Sequence, residues 1–194
     1  RTRSPCGLAP QCGCTSPQAC TIDGSGNHLC AAAGTGKPGE DCKTAGCVAG
    51  NACVVLSSSP ELDICEAFCS TDADCPGSTC SKHLSNGMGG TLAGVTLCGD
   101  ACDPIAQTGC PAMGTACVIQ KETDGQKRWF TECFIPQSAL VEGDSCTGAC
   151  GPGLLCGGPT GMAPTCHQLC TTDGAHGCVA PAMCQALTDP LVVD

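Results

Sequence analysis

Tyrosine is absent from these 194 residues, and only four aromatics occur, Phe68, Trp129, Phe130 and Phe134. Leu, Ile, Val and Phe together make 30 of 194 residues, below the share with which a chain ordinarily folds by burial alone. The 42% hydrophobic content is therefore mostly Ala and Cys. Basic residues are scarce as well. Eight Lys and Arg face 18 Asp and Glu, a formal charge of −10. That balance argues against nucleic acid and anionic membrane surfaces as partners. No apolar stretch of about 18 residues occurs, so membrane insertion as a helix is not expected. No signal peptide and no Asn-x-Ser/Thr sequon are visible. With Arg1 at the start and the first cysteine already at Cys6, the chain reads as a processed product.

What is abundant is cysteine, 24 in all. That density marks an oxidising compartment and a disulfide scaffold, hence a secreted, extracellular or cell-surface location. Cross-links must then offset backbone ordering, which costs roughly 1–2 kcal/mol per residue, at roughly 2–4 kcal/mol per disulfide.

The cysteines repeat. Cys42, Cys47, Cys53 and Cys65 are separated by 4, 5 and 11 residues. Cys69, Cys75, Cys80 and Cys98 follow with gaps of 5, 4 and 17, and Cys102, Cys110, Cys117 and Cys133 with 7, 6 and 15. Cys146, Cys150, Cys156 and Cys166 have gaps of 3, 5 and 9. The long gaps read as β-hairpins: 52–56 with 61–65, and 117–120 with 128–133 around Asp124-Gly125. The Cys80–Cys98 hairpin is looser, with Asn86-Gly87 and Gly89-Gly90 at its tip. No helical periodicity runs longer than a turn or two. The expected fold is small, disulfide-rich and mostly β, an elongated tandem array of short hairpin units with many loops. Two linkers, 31–41 and 134–145, end alike in Pro38-Gly39-Glu40-Asp41 and Glu142-Gly143-Asp144-Ser145. They divide the chain into an N-terminal unit plus linker (1–36), a three-unit block (37–136) and a two-unit block (137–194).

The extremities read as halves of one unit. Cys170, Cys178 and Cys184 lack a fourth cysteine, and the first segment parses as Cys12, Cys14, Cys20 and Cys30 with Cys6 left over. Joining residues 185–194 to residues 1–5 gives a gap of 15 between Cys184 and Cys6, equal to that between Cys117 and Cys133. The termini could meet within one chain, residues 1–6 could complete the last hairpin of a neighbouring copy, or the chain could be cut from a longer array. The second is favoured, because β-strand addition covers an open edge and head-to-tail contacts build filaments. The expected junction comprises Thr2, Arg3, Ser4, Pro5 and Cys6 against Cys170, Cys178, Cys184, Leu191, Val192 and Val193. Connectivity is not fixed by sequence; the favoured pairing is first to third and second to fourth within a unit, with Cys6 to Cys178 and Cys170 to Cys184.

No motif carries catalysis. Cys65-x3-Cys69, Cys98-x3-Cys102 and Cys166-x3-Cys170 have a loose zinc-like spacing, but they sit at unit boundaries in an even series. His28, His83, His167 and His176 occupy no equivalent positions, and no nucleophile-elbow sequence occurs. Asp72 and Asp74 resemble half of a calcium loop without its glycine and distal glutamate, and Asp72 fits a turn cap better. No cofactor or metal is expected, and no enzyme. Trp129 and Phe130 point to opposite faces of a strand. With Phe134 they either pack locally or offer a contact surface.

The strings at 70–80 (Ser-Thr-Asp-Ala-Asp-Cys-Pro-Gly-Ser-Thr-Cys), 102–117 and 151–156 (Gly-Pro-Gly-Leu-Leu-Cys) resemble cysteine-rich repeat proteins encoded in quantity by myxobacteria and related deltaproteobacteria. The resemblance spans most of residues 38–184. It implies export and a bacterial cell-surface or extracellular place, and no activity. The Asp-x-Asp-Cys string is also similar to colipase-, Dickkopf- and whey-acidic-type modules, over too short a stretch to transfer a function. The expected role is an extracellular structural protein, a subunit of a head-to-tail fibre with copies of itself as partners. The rival is a monomeric binding module, adhesin or protease-inhibitor-like.

Overall fold

The structure is a computed structural model that describes residues 6–58, 61–86, 90–110, 114–122, 128–136, 139–147, 150–158, 161–173, 177 and 183–184. Among the described residues, five antiparallel hairpins follow one another in sequence. They pair β1 (Gln18–Ile22) with β2 (His28–Ala32), β3 (Asn51–Ser58) with β4 (Glu61–Ala67), and β5 (Cys80–Ser85) with β6 (Thr91–Cys98). The fourth pairs β7 (Ala116–Lys121) with β8 (Trp129–Phe134), and the fifth β9 (Leu154–Gly157) with β10 (Thr165–Gln168). Among the described residues the one helical element is a single 3-10 turn, Asp72–Asp74. No helix there is long and apolar enough to cross a membrane. The expected small, disulfide-rich tandem β fold is what the chain adopts.

A lone two-stranded hairpin is marginal in water, and each of these is held by the same device. Two cysteines face each other across every pair of strands: Cys20 and Cys30, Cys53 and Cys65, Cys80 and Cys98, Cys117 and Cys133, Cys156 and Cys166. Directly opposite residues project from the same face, so the two sulfurs emerge together. The loop ahead of the hairpin carries two further cysteines, and these receive them in order. Cys42 bonds Cys53 and Cys47 bonds Cys65. The pairs Cys69–Cys80, Cys75–Cys98, Cys102–Cys117, Cys110–Cys133, Cys146–Cys156 and Cys150–Cys166 repeat the pattern. The first-to-third, second-to-fourth rule therefore holds in these four units.

The first unit corrects the sequence parse. Cys6 bonds Cys20 and Cys14 bonds Cys30. Cys6 is thus the unit's first cysteine, and Cys12 is the supernumerary one, free and exposed. The reason lies in the loop. Cys6 to Cys14 and Cys102 to Cys110 are both Cys-x7-Cys with Gln in the fifth place after the first cysteine and Gly in the seventh. Gln11 Nε2 donates to the carbonyls of Leu8 (2.8 Å) and Cys20 (3.0 Å), while Gln11 Oε1 accepts from the Cys20 amide (2.8 Å). Gln107 repeats all three bonds with Pro104 (2.6 Å) and Cys117 (2.9 and 3.2 Å). The bridge between Gly7 and Cys12 matches that between Asp103 and Thr108. Cys12 stands where the fourth unit has Thr108.

The end of each linker is bonded to the hairpin that follows it, through one isolated bridge each, Asp41 with Ile64 and Ser145 with Thr165. Gly39 N–H donates to the Cys65 carbonyl (2.8 Å), and the Cys65 amide to the Glu40 carbonyl (2.9 Å). Gly143 and Asp144 make the same pair with Cys166, at 2.8 and 2.9 Å. Both turns are closed by an acid, Glu40 accepting from Lys37 N–H and Asp144 from Val141 N–H. The alike endings at 38–41 and 142–145 do one job twice.

Alternation selects the core. In β3, Ala52, Val54 and Leu56 are buried while Val55 is 64% exposed, as a period of two requires. These three join Leu8 and Cys20 of the first unit, Ile64 and Phe68, and Val95 and Leu97 of the third hairpin in one cluster. A second cluster, Cys146, Cys150, Cys156 and Cys166 with Leu140 and Leu154, belongs to the fifth hairpin.

Candidate functional site

The expected subunit junction is not brought together at Cys6. That residue is 4% exposed, bonded to Cys20, and its carbonyl lies 2.7 Å from His28 Nδ1. A Cys6–Cys178 bond is therefore excluded, because the sulfur already closes the first hairpin. Cys170 bonds Cys184, as the pairing rule expected. Thr2, Arg3, Ser4, Pro5, Cys178, Leu191, Val192 and Val193 lie outside the described residues, as do His176 and the Asp124-Gly125 turn.

The three clustered aromatics have partners within the chain. Trp129 is half-buried opposite Lys121, whose ammonium sits 5.1 Å from the ring centroid. Phe130 lies against Gly99, where an added Cβ would meet Phe130 Cδ2 at 3.2 Å. Phe134 pairs with Ala116 and is half-buried.

Asp72 and Asp74 use their carboxylates on the protein itself. Asp72 Oδ1 accepts from the Cys80 amide at 2.8 Å, and both its oxygens accept from Arg128, at 2.9 and 2.7 Å. The Cys80 amide and then Arg128 hold its pKa below the usual carboxylate value. Asp74 Oδ2 accepts from the Ser70 and Thr71 amides, 2.9 Å each, which lowers its pKa likewise. Each of the five hairpin units also gathers three cysteine sulfurs within 4.8 Å of one another, and all of these are in disulfides. His167 Nε2 lies 2.9 Å from the Thr165 hydroxyl.

Sequence reasoning missed the charged groups that fasten hairpins to each other. Arg128, at the foot of β8, bonds Asp72, the Cys80 carbonyl (2.8 Å) and Glu122 (3.1 Å), so it ties the fourth hairpin to the third. Deeper in, Lys82 of β5 lies 2.5 Å from Glu66 Oε1 of β4 and also pairs with Glu132 of β8. Burial pulls Lys82 down, but the two glutamates outweigh it and hold its pKa above the ordinary lysine value. Burial pushes Glu66 up to about 7, against the pull of Lys82. The signal for Glu66 was strand parity: it lies two residues from Ile64 and opposite Ala52, hence on the apolar face. A cleft of about 250 Å³ lies nearby, between Pro38, Ala67, Asp74, Ser78, Asp100 and Gly109.

The class this architecture defines is a disulfide-stapled tandem β-hairpin protein. No protein-family model matches the chain, and it matches no curated protein and no solved structure.

Proposed function

We propose that the chain is an extracellular structural protein, a stapled rod segment that assembles with copies of itself. One observation supports the reading most. The same double-stapled hairpin is repeated along the chain, and Gly39-Glu40 and Gly143-Asp144 at the ends of the two linkers bond alike to Cys65 and Cys166 of the hairpins that follow. Such a design resists reduction-free unfolding and proteolysis, and it suits an oxidising exterior. Cys6 supplies no disulfide to a neighbouring copy, because it is bonded within its own unit. The first unit keeps Cys12 on its surface for a covalent link between copies.

Non-reducing electrophoresis and negative-stain microscopy of the wild-type chain and of Cys12→Ser test this. Filaments by microscopy in both proteins support non-covalent assembly, and a ladder lost in Cys12→Ser supports a covalent one. A monodisperse monomer at every concentration overturns the proposal in favour of the monomeric binding module.

A further inference from the structure

We propose that Glu66, Lys82 and Glu132 form a proton-operated joint, which clamps the second, third and fourth hairpins together while it carries one proton and loosens when that proton leaves. Each of the three side chains comes from a different hairpin: β4, β5 and β8. Their side chains are 2%, 10% and 11% exposed, in the order Glu66, Lys82, Glu132. The ammonium lies 2.5 Å from Glu66 Oε1 and is also paired with Glu132.

Charge counting carries the argument. Two carboxylates around one ammonium leave a net charge of minus one when all three are ionised. Asp100, in the segment between the third and fourth hairpins, adds a further negative field toward Glu66. A buried net charge is costly, and a group in that position neutralises instead. One proton brings the triad to zero. A second observation places that proton on Glu66. Its Oε2 is buried and has no hydrogen-bond partner, a poor situation for an ionised oxygen and a lesser one for a neutral carboxyl. Burial first, then Asp100 and Glu132, raise Glu66 to about 7, while Lys82 opposes them.

The sign follows from linkage. A carboxyl whose pKa is raised in the closed joint binds its proton more tightly there than in the opened one. The contribution of Glu66 to the closed joint is therefore fully present below the ordinary value of 4.5, falls as pH rises towards about 7, and is flat above. The neighbouring Arg128–Asp72 contact does not share this behaviour, since the Asp72 pKa is lowered. Glu66 is the member of this joint whose pKa is raised to about 7.

Carbon-13 NMR of the glutamate side-chain carboxyls, assigned through the backbone of the oxidised full chain, tests the idea without any variant. One carboxyl, Glu66, is expected to titrate near 7. Amide exchange supplies the mechanical readout. Opening at the Asp100 and Cys133 amides, which donate to the Thr131 carbonyl and Asp100 Oδ2, is expected to rise about tenfold from about pH 6 to 8 after correction for intrinsic rates. In Glu66→Gln it should be flat. The proposal is overturned if every glutamate titrates below about 5, or if opening at these two amides does not change with pH.

Discussion

At the scale of single residues, the parse of the first unit turned on a glutamine. Cysteine spacing alone cannot say which of Cys6 and Cys12 belongs to the staple, because both precede Cys14 at tolerated distances. The Gln11 and Gln107 side chains decide it, each bonding the amide and carbonyl of a hairpin cysteine. That information was in the sequence, as Gln in the fifth and Gly in the seventh place of two Cys-x7-Cys loops, but it becomes meaningful only once the side chain is seen to span the loop. Two predictions follow at this scale. Cys6→Ser removes a disulfide and is expected to cost about 2–5 kcal/mol in denaturant unfolding, whereas Cys12→Ser should stay within about 0.5 kcal/mol of wild type. Equal losses in the two variants would reverse the assignment. Gln107→Ala strips the Cys117 amide of its acceptor and should cost about 1–3 kcal/mol, seen as faster exchange of that amide.

At the scale of elements, the hairpins were legible because turn residues and β-formers alternate between paired cysteines, and the strands fall where that pattern put them. The linkers were legible as a recurrence, but not the bonds by which their ends dock on the following hairpin. Gly39 and Gly143 have φ of 81° and 87°, a region that side chains with a Cβ enter at a cost of roughly 1–2 kcal/mol. Space around Gly143 is open, with nothing within 4 Å of an added Cβ, so Gly143→Ala isolates the backbone term. It should destabilise the docked linker end by about 1–2 kcal/mol and speed exchange of the Cys166 amide, which donates to the Asp144 carbonyl. An unchanged rate would mean that the linker is held by something other than this turn. The contacts between hairpins were not legible, because a salt bridge such as Arg128 to Asp72 joins residues whose meeting depends on how two separate hairpins stack.

At the scale of the whole chain, stapled hairpins in series raise the question of whether they unfold together. Proteins open in cooperative units whose extent follows shared buried surface, and repeat arrays couple through nearest neighbours. Here the shared surface is uneven. The first three hairpins contribute to one apolar cluster that includes Val54, Ile64, Val95 and Leu97, whereas the fifth closes around its own cysteines with Leu140 and Leu154. Leu97 is 0% exposed, and its truncation to alanine leaves a cavity worth about 2–5 kcal/mol. Because that cavity is lined by residues of neighbouring hairpins, exchange should quicken at Cys20, Cys65 and Cys98 together. The Cys156 and Cys166 amides, in the separate cluster, should keep their wild-type rates. Faster exchange confined to the third hairpin would show that the cluster is contact without coupling. Faster exchange reaching the fifth would show that β7 and β9, which touch, transmit the loss along the whole array.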